Sequence, residues 1–80
     1  MNEPPMLDLD VRPLVASRRP PLPAIMDAVA SLQPGQALRL VAPFEPVPLY
    51  NHLRKQGFAH ESFRGEDGSW VVIFRRGAVS

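Results

Sequence analysis

Two histidines, His52 and His60, and five serines, Ser17, Ser31, Ser62, Ser69 and Ser80, are the side chains of this 80-residue chain suited by type to acid–base or nucleophilic work. A metal or general-base site would need Glu45, Glu61 or Asp67 beside a histidine. The histidines stand eight residues apart, His52 in a helical segment and His60 in an extended one, and form neither His-Glu-x-x-His nor another ligand spacing. No serine lies in a Gly-x-Ser-x-Gly turn, threonine is absent, and there is no glycine-rich phosphate loop. Asp8 and Asp10 share one strand face, where two carboxylates repel and stay solvated rather than share a proton. With no cysteine at all, thiolate nucleophiles, disulfides, cysteine zinc sites and iron–sulfur clusters are removed together. The expectation is a protein with no catalytic residue, no cofactor and no metal.

Binding chemistry is better represented. Arg12, Arg18 and Arg19 precede the clearest helix, and arginines at a helix N-terminus make a candidate site for an anion or an acidic partner. Pro20, Pro21 and Pro23 remove three N–H donors from that site, so a solvated basic loop is the competing reading. Arg64, Arg75 and Arg76 flank Trp70 and Phe74, which would suit a weak nucleic-acid platform. A formal charge of +1 gives nucleic acid and membrane surfaces little electrostatic hold. Apolar runs of about five residues fall far short of the roughly 20 that span a bilayer, and the first residues lack the pattern of a signal peptide. A cytoplasmic protein is expected.

The elements that would position these residues follow from periodicity. Hydrophobic residues make up 45% and charged residues 21%, ordinary for a globular chain of one domain. Ten prolines, about twice the usual share, mark boundaries. Residues 1–6 read as a flexible start, 7–76 as the domain and 77–80 as a tail. Leu7 to Val11 alternates apolar and acidic, a half-buried strand that Arg12-Pro13 ends, with a connection over Val15 to Arg19. Leu22, Ile25, Met26, Val29 and Leu32 form one helical stripe, stopped at Gln33-Pro34-Gly35. Ala37 to Val41 is the second strand, parallel to the first if the helix crosses over between them. A second proline-dense helix turns Leu49, Tyr50 and Leu53 inward and ends at Gly57. Phe58 to Arg64, a turn at Gly65-Glu66-Asp67-Gly68, and Trp70 to Phe74 make a hairpin whose second strand is central because every position is apolar. The predicted fold is an α+β two-layer sandwich, β-α-β-α-β-β, with two helices on one face of a four-stranded mixed sheet. The other face would expose Trp70, Val72 and Phe74, or else Val71 and Ile73, as a candidate interaction face, unless arginine stems cover it.

Leu7-Asp8 opening a strand, Arg19-Pro20-Pro21-Leu22-Pro23-Ala24-Ile25-Met26 opening a helix, and Gln33-Pro34-Gly35-Gln36-Ala37-Leu38 entering a strand resemble the TusA/SirA family of small sulfur carriers. The resemblance implies that family's β-α-β-α-β-β sandwich over residues 7–76. It is closer still to an uncharacterised branch, a domain of unknown function, through Asp10-Val11-Arg12-Pro13 and Glu45-Pro46-Val47-Pro48-Leu49. The carriers' Cys-Pro-x-Pro falls on Pro20-Pro21-Leu22-Pro23, with Pro20 in place of the persulfide-bearing cysteine. Proline carries no sulfur, so the resemblance implies the fold and its docking surfaces without the chemistry.

These readings converge on a small non-catalytic binding or adaptor domain that acts through a protein partner or a second copy of itself. A sensor of small anions or ligands at the start of the first helix, and a weak nucleic-acid module, are the alternatives.

Overall fold

The computed structural model describes residues 6–77. The starts and ends expected as flexible at 1–6 and 77–80 lie outside the described residues, apart from Met6 and Gly77, as does Ser80. The radius of gyration is 12.5 Å, close to the ~12 Å of a chain this long folded around one core. The elements are β1 (Leu7–Asp10), α1 (Arg12–Ala16), α2 (Leu22–Ala30), β2 (Leu38–Ala42), α3 (Val47–Arg54), β3 (Phe58–Arg64) and β4 (Trp70–Arg76). The sheet runs β1-β2-β4-β3, with β1 and β2 parallel and the other pairs antiparallel. This is a small α+β domain with a four-stranded mixed sheet and three helices, one more than the periodicity indicated.

The additional helix is α1. Arg12-Pro13 looks like a stop, yet a proline in the first helical turn forfeits no bond, because the first N–H groups of a helix have no partner in it. Val15 N–H donates to Val11 at 3.0 Å and Ser17 N–H to Pro13 at 3.0 Å, and Leu14 packs against the core. The turn closes in a Schellman arrangement: Arg18 N–H donates to the Val15 carbonyl and Arg19 N–H to that of Leu14. Such a closure needs a left-handed residue, and here it is Arg18, at φ 60°. Glycine reaches that conformation without the Cβ penalty. Arg18→Gly is therefore expected to raise stability by roughly 1 kcal/mol, read as a higher midpoint in urea; an unchanged or lower midpoint would show that the arginine side chain compensates for its backbone.

Register decides which residues face the helices. Leu38 pairs with Phe74 and Leu40 with Val72, and cross-strand partners point to the same side. That side carries Leu7 and Leu9 of β1, Leu38, Leu40 and Ala42 of β2, and Val72 and Phe74 of β4, against Ile25 and Val29 of α2 and Leu49 and Leu53 of α3. Leu38, Leu40, Leu53, Val72 and Phe74 are wholly buried. Gly57, at φ 92°, closes α3 and accepts at its carbonyl from Gly77 N–H at 2.6 Å, which ties the end of α3 to the end of β4. β4 is central, as its unbroken apolar run requires.

The candidate interaction face Trp70, Val72 and Phe74 is corrected here. Val72 and Phe74 are the middle of the core, and half-buried Trp70 shares their side of the sheet. The open face holds Val71 and Ile73, each half-buried, beside Val41, Ala59 and Phe63. Five consecutive apolar residues contain no periodicity from which to choose a side; the pairing to β2 chooses it.

Candidate functional site

Several of the residues singled out for chemistry have a structural occupation. His60 stacks on Tyr50 with ring centroids 3.8 Å apart and planes 11° from parallel, and both rings lean on Phe74. The Tyr50 hydroxyl donates to Glu45 Oε2 at 3.3 Å, and burial pushes the phenol pKa up. His52 lies on exposed α3 surface with its Nε2 3.3 Å from Gln56 Nε2. Ser31 donates to the Ala28 carbonyl at 2.8 Å, and Ser69 Oγ accepts from Arg12 at 3.0 Å. Among the described residues no group of three or more acidic, histidine or cysteine side chains could hold a metal ion.

The three arginines expected to cooperate are divided. Arg12 grips Asp10 through Nε at 2.9 Å and Nη2 at 2.7 Å, and reaches Asp67 at 3.4 Å. The guanidinium beside it holds the Asp10 carboxyl below the usual carboxylate range, while the Ser69 N–H and hydroxyl do the same for Asp67. Arg12 thus clamps the end of β1 to the β3–β4 turn. Asp8, expected to stand solvated, has Arg39 at 3.5 Å. These pairs line a hollow of about 490 Å³ on the open sheet face with Val41 and Val71. Surface ion pairs of this kind orient side chains and contribute little stability. Arg18 and Arg19 are exposed and make no ion pair or side-chain hydrogen bond among the described residues.

The aromatic platform imagined for nucleic acid is absent from the described surface. Phe58 and Phe74 are buried, Arg76 covers Phe58 at 4.7 Å, and Arg64 covers Trp70 at 5.9 Å. The arginines shield rings rather than frame them.

A second concavity, an apolar groove of about 380 Å³, lies between α2 and α3. Leu40 and Ala42 of β2 and Val11 form its floor; Pro21, Leu22 and Ile25 form one wall; Phe44, Pro46, Pro48 and Leu49 form the other, with His52 as its one titratable side chain. It opens where the parallel strands β1 and β2 end, at Val11 and Ala42. A cavity of this size falls within the range of ligand pockets. Two large apolar side chains of its lining, Leu22 and Phe44, remain 46% and 49% exposed.

The proline motif lands on this groove in part. Pro21, at the N-cap of α2, lines it, whereas Pro20 and Pro23 are exposed and absent from its lining. Sequence reasoning put Leu22 at the head of a core stripe and passed over Phe44. The available signal was a large aromatic within the proline-dense stretch 43–48, where a connecting segment has no need of one.

The fold and this groove define the class: a small α+β domain with a four-stranded mixed sheet, three helices and an apolar groove between α2 and α3. The chain belongs to the family described as Uncharacterized conserved protein (DUF2249), which it matches over residues 8–76. No curated protein and no solved structure matches it.

Proposed function

We propose that this is a non-catalytic binding or adaptor domain whose working surface is the groove between α2 and α3. The observation that carries the reading is the half-exposed pair Leu22 and Phe44 in the lining of a preformed apolar cavity. Exposing large apolar side chains is unfavourable by about 25 cal/mol per Å², and a monomer with nothing to bind would gain by replacing them. His60 packs on Tyr50 and His52 lies at the surface, Ser31 bonds to backbone and Ser69 to Arg12, and Asp8, Asp10 and Asp67 pair with arginines, which supports binding over turnover. The sulfur-carrier-like sandwich enters this reading through the sequence resemblance alone, and a cytoplasmic setting fits a cysteine-free chain. The anion-sensor alternative gains nothing from the groove, whose lining is apolar except at His52.

Affinity capture from the native source, with wild-type protein and Leu22→Glu as parallel baits, tests this reading. Leu22 opens α2 at its exposed end, so the substitution should leave the fold intact by circular dichroism. A defined protein retained by the wild type, lost on Leu22→Glu, and rebound when purified alone is the expected result. Identical proteins on both baits would refute the groove as the working surface.

A further inference from the structure

The groove walls offer a peptide backbone almost nothing to bond. Pro21, Pro46 and Pro48 have no N–H to give, and the rest of the lining is apolar apart from His52. The strand that floors it, β2, already has both neighbours, β1 and β4. An extended segment laid here would bury its own N–H and C=O groups without partners, the arrangement folded proteins avoid. A helix brings those bonds with it. A small molecule confined to the cavity would leave the rim in water, because Leu22 and Phe44 of its lining stand half-exposed. A helix lying across the opening would insert its apolar side chains and cover that rim.

Charge adds a direction. Arg12 and Arg39 are taken by aspartates, and the carboxylate nearest the groove along the chain, Glu45, accepts from Tyr50. Arg18 and Arg19 have no acidic partner among the described residues and stand three and two positions before Pro21 of the groove wall. Two such cations, close along the chain to a groove-lining residue, complement acidic residues at one end of a bound segment.

Resting on the groove as the binding surface, we infer that its occupant is an amphipathic helix of a protein partner. Its apolar side chains, spaced i, i+3 or i+4, i+7, fill the space between α2 and α3, and its acidic residues lie beside Arg18 and Arg19. The test is selection of a random 16-residue peptide display library on the full chain, followed by affinity measurement of the enriched peptides. The expected outcome is peptides sharing that spacing with acidic residues at one end. They should lose at least about tenfold in affinity to Leu22→Glu or when proline is placed at their centre, and about fivefold to Arg18→Glu/Arg19→Glu at low salt with little difference at high salt. Phe44→Ser serves as a second groove variant should Leu22→Glu fail to fold. Peptides with period-two or proline-rich patterns that still depend on Leu22 or Phe44 would overturn the helix while leaving the groove as a binding surface. No enrichment, or enrichment indifferent to Leu22 and Phe44, would overturn both.

Discussion

Phe74→Ala lowers stability by about 3–5 kcal/mol, the usual cost of emptying a buried phenylalanine site, while Ile73→Ala one residue away costs only about 1 kcal/mol. Phe74 is wholly buried, between Leu38 of β2 and His60 of β3, with the Tyr50 and His60 rings against it. Deleting the ring leaves a cavity whose walls are strands and a helix that cannot close in without breaking register. Ile73 points to the open face and is half-buried, so its truncation loses part of its transfer energy and creates no cavity. For a domain of about 80 residues the larger figure means a fall in Tm of at least about 12 °C, out of a total stability of roughly 4–12 kcal/mol. Thermal melts of the two variants read the difference directly. Equal falls would mean that the Ile73 side of the sheet is covered too, and the two-layer description would have to yield to a covered open face.

The contrast also marks what the sequence could and could not disclose. Alternation in Leu7-Asp8-Leu9-Asp10 carries its own orientation, because the aspartates cannot be the buried side, and β1 lies as its pattern requires. Glycine and aspartate at 65–68 specify the hairpin turn for local reasons, with Gly65 N–H bonded to the Ser69 carbonyl at 2.7 Å. Trp70 to Phe74 has no polar residue to fix its parity, and the parity came from pairing with β2, a contact some thirty residues away in the chain. α1 was hidden by a proline that a helix tolerates only in its first turn. The groove was hidden for a different reason: its walls come from the strand ends, the start of α2, the stretch after β2 and α3, and no single segment has a period that registers it. Leu22 satisfies the α2 stripe and yet stands half in water, at the groove between α2 and α3.

That position of the rim residues sets up the second large effect. Phe44→Ser is expected to weaken binding of the groove's partner by at least about 30-fold, equivalent to a hot-spot loss of about 2 kcal/mol, while changing stability by less than about 1 kcal/mol. A residue that holds a fold together loses stability in proportion to its burial, and a residue that holds a partner loses affinity instead. Phe44 lies between Ala42 and Pro46, outside any helix or strand, about half of its surface already meets water, and a serine suits the irregular backbone there. Truncating it thus opens no enclosed cavity in the free protein. In the complex, the same ring would be enclosed between the partner and the wall of Pro46 and Pro48, where aromatic anchors contribute most. Titration of the partner by calorimetry, paired with a urea melt of the same preparation, separates the two quantities. Lost stability with unchanged affinity would make Phe44 a structural side chain and remove the rim from the binding surface. Lost affinity with an unchanged melt is the signature of a residue kept in water for the sake of what covers it.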